Sequence, residues 1–276
     1  MIIDSHQHFW KYDPVRNSWI DESMKELRRD FLPKDLAPLL KKNGTDGCVA
    51  VQADQSENET EFLLNLAQNN TFINGVVGWV DLRANNIEER LAYYSSNNLL
   101  KGIRHIVQAE SDDFMLGKKF LNGISLLKQF DLTYDILVFP SQLSATIQLV
   151  NKFPDQKFII DHMAKPTIKN GKMVDWKKGI ELLAKSQNVY CKVSGMVTEA
   201  DWKKWRKEDF TKYLDIIFDT FGVDRILYGS DWPVCLLAAE YELQLELISD
   251  YITKYSTEDK EKIMGENAIN FYNLNL

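Results

Sequence analysis

The sequence predicts an α/β protein built as one closed (β/α)8 TIM barrel, a single domain over residues 1–276. Three observations carry this expectation. Eight short apolar or β-branched runs recur along the chain, most of them are separated by stretches with helical spacing, and 276 residues is close to the roughly 250 that one barrel needs. Parallel strands require a crossover, which a helix supplies, so alternation of the two patterns favours a parallel sheet. The competing closure is an open, doubly wound sheet. Its mark would be a glycine fingerprint after the first strand, where this chain instead reads Asp4-Ser-His-Gln-His-Phe-Trp10.

Strands are expected at Ile2–His8, Gly47–Asp54, Asn74–Leu82, Gly102–Gln108, Thr133–Phe139, Lys157–Met163, Val189–Gly195 and Arg225–Asp231. Helical spacing falls at Glu59–Asn69, Ile87–Asn97, Gly117–Phe130, Ser141–Phe153, Trp176–Ser186 and Phe210–Phe221. Two insertions interrupt the period. Lys11–Leu40 carries Pro14, Pro33, Pro38 and Trp19 and reads as a long loop with a short helix over the barrel mouth; Ala164–Lys178 holds the turn signal Asn170-Gly171 and reads as a small hairpin or excursion. A last helix, Glu258–Phe271, is expected on the outside of the barrel.

Composition narrows the partners. A formal charge of −7, with Lys and Arg dispersed along the chain, argues against a nucleic-acid surface and for a small-molecule substrate. No stretch approaches the roughly 18 apolar residues of a membrane span, and Met1-Ile2-Ile3 runs into Asp4 without a signal-peptide pattern. Cys48, Cys191 and Cys235 form no close-spaced pair, which suits a reducing compartment. A cytoplasmic protein is the expectation, and a homo-oligomer stays open.

The chemistry is expected at the C-terminal ends of the strands, where barrels of this kind carry their sites. His6 and His8 lie two apart on a strand and so face the same way, which suits a metal ion or proton transfer. The other two histidines, His105 and His162, also end apolar runs. Asp231, in Tyr-Gly-Ser-Asp-Trp-Pro, either caps the turn after the last strand or takes a proton from water. Strand alternation lets one of Asp161 and His162 point inward, with His162 favoured, and one of Arg104 and His105. Lys192, between Cys191 and Val193 in a buried strand, needs a partner for its charge. Trp10, Trp79 and Trp232 fall at strand ends, where aromatic faces suit a ring ligand but where packing explains them equally well. Gln52, Asp54 and Asp81 suit turns as well as ligand contacts.

Taken in order, Ile3-Asp-Ser-His6-Gln-His8-Phe-Trp10, Lys101-Gly-Ile-Arg104-His105, Ile160-Asp161-His162-Met-Ala-Lys165-Pro166, Cys191-Lys192-Val-Ser-Gly195 and Tyr228-Gly-Ser-Asp231-Trp232-Pro233 make the whole chain resemble the amidohydrolase superfamily. The resemblance is to its metal-dependent-hydrolase branch, which includes sugar lactonases and a pyrone dicarboxylate lactonase. It implies metal ligation by His6, His8 and Asp231, with Asp231 also activating water and His162 as the sixth-strand histidine. Strand four shows no bridging lysine or glutamate at the expected place, and strand five no histidine. The resemblance therefore implies at most one divalent ion, zinc by preference, weakly held and not essential in some relatives.

The expected reaction is opening of a neutral sugar lactone by Asp231-activated water. Charge on the carbonyl oxygen is met by His162, Arg104 or the metal, and Trp10, Gln52, Trp79, His105, Gln108, Lys192 and Trp232 contact the substrate. A dicarboxylate would call for several arginines, and position offers Arg104 and Arg83 as the candidates. The rival readings are a zinc decarboxylase of the aminocarboxymuconate-semialdehyde type, a pyrone dicarboxylate lactonase, and a barrel that binds without catalysis.

Overall fold

A computed structural model describes residues 1–275 and contains the eight expected strands, all parallel and neighbouring in chain order: β1 (Ile3–Gln7), β2 (Gly47–Val51), β3 (Ile73–Gly78), β4 (Leu100–His105), β5 (Thr133–Ile136), β6 (Phe158–Ile160), β7 (Val189–Val193) and β8 (Ile226–Tyr228). Most stop short of the expected C-terminal end, because the backbone leaves the ladder where it begins to build the mouth. The barrel is sealed at the β1/β8 seam by single contacts. Asp231 N donates to His6 O (2.8 Å), His8 N to Trp232 O (2.7 Å), and the Asp4 carboxylate takes both the backbone N–H and the hydroxyl of Ser230.

Helices α1 (Pro33–Lys42), α2 (Glu57–Asn69), α3 (Ile87–Ser95), α4 (Lys118–Leu127), α5 (Leu143–Lys152), α6 (Val174–Leu183), α7 (Lys207–Phe221) and α8 (Tyr241–Tyr251) surround the sheet. The outward-facing strand residues Cys48, Ala50, Val76, Ile103, Tyr134, Phe158, Cys191 and Ile226 join their apolar faces in one cluster. The first insertion holds more structure than a loop with one short helix. A 3-10 turn over Glu22–Leu27 precedes α1, whose start suits Pro33 because proline lacks the N–H that a first helical turn leaves unpaired. The second insertion shrinks to one bridge between Thr167 and Lys172 around Gly171, which takes φ +65°. Helix α8 has no counterpart among the sequence expectations.

The chain end departs from expectation most. Residues 257–272 are not one helix on the outside but α9 (Thr257–Glu261), a π-helical turn over Lys262–Glu266 and α10 (Asn267–Tyr272). They close the barrel's N-terminal end. Ala268, Phe271, Tyr272 and Leu274 pack on the inward-facing Ile3, Val49, Val51, Val77, Ile159 and Leu227, forming a second apolar cluster that floors the interior. Gly265 permits the approach, since a Cβ there would stand 2.4 Å from Met1 O.

Candidate active site

The β1–β2 pairing shifts register between Asp4 and Gln7, and this irregularity aims the histidines. Ile3 faces the floor, so an unbroken alternation would turn Ser5 and Gln7 inward. The shift exchanges the faces: Gln7 reaches outward to Cys48, while His6 and His8 enter the barrel. Their Nε2 atoms stand 3.3 Å apart, and His8 Nε2 lies 3.4 Å from Asp231 Oδ1. Partners set the tautomers. His8 Nδ1 is 2.7 Å from the Val51 carbonyl, which can only accept, so Nδ1 carries the proton. His6 Nε2 faces Arg104 Nη1 at 3.4 Å, which can only donate, and its Nδ1 faces Asp161 Oδ1 at 3.3 Å. Both rings thus present an Nε2 lone pair toward Asp231.

Alternation fails again at the ends of β6 and β8, with consequences for the side chains. His162, Met163, Ala164 and Lys165 all take φ between +48° and +57°, a left-handed turn costing about 1–2 kcal/mol per non-glycine residue. Trp176 Nε1 holds it by donating to Met163 O at 2.7 Å. The turn lets Asp161 and His162 both face the pocket, where a regular strand would have admitted one. His162 Nδ1 meets Ser194 Oγ at 2.9 Å and its Nε2 lies 3.9 Å from Asp231 Oδ1. The neighbouring backbone must be bare for this ring to fit, since a Cβ on Gly195 would fall 2.5 Å from His162 Nδ1. Asp231 is itself left-handed, at φ +58°.

Below the imidazoles lies a layer of buried ions. Lys192 Nζ is 2.5 Å from Asp135 Oδ2, 3.0 Å from Asp161 Oδ1 and 3.2 Å from His6 Nδ1. Arg104 Nη1 is 3.1 Å from Asp161 Oδ2, while its Nη2 donates to the side-chain and backbone oxygens of Gln52. Lys192 and Gln52 are wholly buried, and Arg104 is 3% exposed. These three were expected to touch substrate or reacting oxygen; apart from Arg104 Nε, which has no hydrogen-bond partner, their donors meet acceptors inside the layer, because a charge so far from water needs partners there. Burial opposes the charge on Asp161, but Lys192, His6 and Arg104 hold its carboxyl well below the ordinary range. Burial pushes Asp135 up to about 6. It also drives the proton affinity of His6 and His162 well down, so both rings are neutral near pH 7. Burial raises Asp231 too, yet His162 and His8 outweigh it and keep the carboxyl below its usual value.

The remaining expectations fall elsewhere. His105 faces out of β4: it accepts from Trp79 Nε1 at 3.3 Å, lies 3.0 Å from Glu110 and stacks on Phe114. Trp10 and Trp232 pack edge-to-face on Phe31 and are at most 2% exposed, so neither presents a free ring face. Gln108 carries a buried side-chain oxygen without a hydrogen-bond partner. From the sequence His162 is favoured over Asp161, and Asp135 and Ser194 carry no expected role, yet Asp161, Asp135 and Ser194 all join the cluster. The rim also carries Lys165 paired with Glu199 at 2.8 Å.

The cluster fits a divalent cation on its own chemistry. His6, His8 and Asp231 are buried with ligand atoms within 4.8 Å of one another, two imidazole nitrogens and one carboxylate oxygen all acting as acceptors around one point. His6, Asp161 and His162 form a second group of this kind.

The chain has clear relatives among known proteins. The profile of a family described as Amidohydrolase matches residues 3–274. An L-fucono-1,5-lactonase of Burkholderia multivorans is 37% identical over 99% of this chain and 96% of its own length; another from Burkholderia ambifaria is 33% identical over 99% and 95%. The crystal structure of an amidohydrolase from Burkholderia multivorans with bound zinc covers both chains fully at 37% identity, with a TM-score of 0.97.

Proposed function

This chain belongs to the amidohydrolase family, and from that premise we propose that it is a lactonase opening a neutral sugar lactone, of the L-fucono-1,5-lactone type, to the sugar acid. The observation that carries the reading is the convergence of Asp231 Oδ1 with Nε2 of His6, His8 and His162, at 3.4 to 4.0 Å. Asp231 is ionised at neutral pH and accepts a proton from the attacking water. His162, its Nδ1 engaged by Ser194, turns Nε2–H toward the carbonyl oxygen, where negative charge develops. Asp231 then returns the proton to the departing ring oxygen. His6, His8 and Asp231 are the residues that would hold zinc, which when bound supplies Lewis-acid stabilisation of that negative charge. Arg104 positions His6 and Asp161 instead of meeting the oxyanion.

Substrate charge follows from the arginines. Both terminal nitrogens of Arg104 are engaged by Asp161, His6 and Gln52, and Arg83 is half-exposed and paired with Asp81 at 2.9 Å. That leaves poor provision for a dicarboxylate and supports a neutral, hydroxylated ring. No helix among the described residues is long and apolar enough to cross a membrane.

The test is a panel of aldonolactones followed by proton release at neutral pH, before and after chelation and again with added zinc. Hydrolysis confined to one configuration is expected. If no lactone opens while an aromatic carboxylate loses CO2, the decarboxylase reading replaces this one.

A further inference from the structure

The second potential metal-binding group is already crowded by a cation of the protein's own. Three polar atoms crowd Lys192 Nζ: Asp135 Oδ2, which accepts from it, Asp161 Oδ1 and His6 Nδ1, at 2.5, 3.0 and 3.2 Å. Its fourth side is the ring of Tyr272, 5.4 Å away, whose hydroxyl donates to Asp135 Oδ2 at 2.7 Å. Two carboxylates, an imidazole and an aromatic face would be an unusual retinue for a substrate-binding lysine. They are ordinary surroundings for a buried positive charge.

Charge balance points the same way. Lys192 and Arg104 offset Asp135 and Asp161 within the layer, and three imidazoles face Asp231. Of Asp135, Asp161 and Asp231, the one with neither a lysine nor an arginine in contact is Asp231 at the mouth. Asp161 Oδ1 makes no directed hydrogen bond, so its compensation comes from the field of the ammonium beside it.

We propose that the Lys192 ammonium is a resident cation filling the inner of two cation positions, so that the site takes a metal only at the outer position between His6, His8 and Asp231. Lys192 is a positioning residue in this account: it holds Asp161, the carboxylate that flanks His6. The inference concerns cation occupancy and does not depend on which lactone is the substrate, so it can fail while the lactonase reading stands, and the reverse.

The experiment compares wild type, Lys192→Ala and Lys192→Arg after chelation, titrating Mn2+ and following the free ion by electron paramagnetic resonance. Lys192→Ala is expected to take about one more equivalent than wild type, with methylammonium competing for the extra ion, and Lys192→Arg to match wild type. A Lys192→Ala protein with native circular dichroism and no additional Mn2+ overturns the proposal. Should that variant not fold, wild-type crystals soaked in Mn2+ decide. An anomalous peak at the ammonium position overturns the proposal, and peaks confined to the outer position support it.

Discussion

The two ends of the barrel interior are built from the same eight strands and solve opposite problems. At the floor, Ile3, Val49, Val51, Val77, Ile159 and Leu227 meet the C-terminal helix in an apolar layer that any barrel would recognise as core. A few residues further along, the inward positions of β4 to β7 become Arg104, Asp135, Asp161 and Lys192, all essentially without solvent. Apolar burial stabilises by about 25 cal/mol per Å2, whereas buried ions at best break even against their desolvation. The difference teaches that the mouth is maintained for what it holds in place, and that the floor and outer shell supply the stability it lacks.

Four substitutions can break or sharpen that contrast. Asp231→Asn removes the proton acceptor and is expected to lower kcat by about 10^3-fold or more, with an unchanged melting profile. Retained turnover would place the chemistry elsewhere. Asp161→Ala strands the charges of Lys192 and Arg104 in the interior and should cost about 3–5 kcal/mol in denaturant unfolding. Replacing Asp135, Asp161, Lys192 and Arg104 together by apolar residues should restore much of that stability while abolishing activity.

At the floor, Leu227→Ala opens a cavity and should cost about 3 kcal/mol, leaving kcat/KM within about twofold of wild type for the protein that remains folded. An activity loss as large as the stability loss would show the two ends to be coupled. Glu59 offers the smallest effect. Burial first, then the nearby Asp54, raises its pKa from 4.5 to about 7. The unfolded state therefore loses its proton at lower pH than the folded state, and this residue's contribution to stability declines as pH rises from 4.5 to 7, then stays level. Glu59→Gln should remove that decline, gaining about 3 kcal/mol at pH 8 and almost nothing at pH 4, as read from urea midpoints at the two pH values.

Much of the barrel was legible because its signals are local. Apolar runs such as Gly47–Val51 and helical stripes such as Glu57–Asn69 announce themselves within a dozen residues. The pairing of His6 with His8 is local too, since residues two apart on a strand share a face whichever face that is. Where the expectations missed, a local rule was suspended. The irregularity in β1 decided which side His6 and His8 took, and the left-handed turn at His162 admitted two adjacent side chains where one was expected. Trp10, Trp232 and His105 look like mouth residues by position, yet each was claimed by neighbours from distant segments: Phe31 for the tryptophans, and Trp79 with Phe114 for the histidine. The C-terminal helix showed the apolar spacing of any outer helix, with nothing to mark that Tyr272 would turn into the barrel.

By itself the sequence determined the alternation of strands and helices, their order, and the presence of imidazoles and a carboxylate at strand ends. These rest on side-chain periodicity and backbone preference, which act over a few residues. Only the tertiary structure decided that atoms from His6, His162 and Asp231 would converge within about 4 Å, and that Lys192 would serve the interior and not a ligand. Barrel closure brings together groups as many as 225 residues apart, and once water is excluded there each charge must find its partner among whatever the fold has placed beside it.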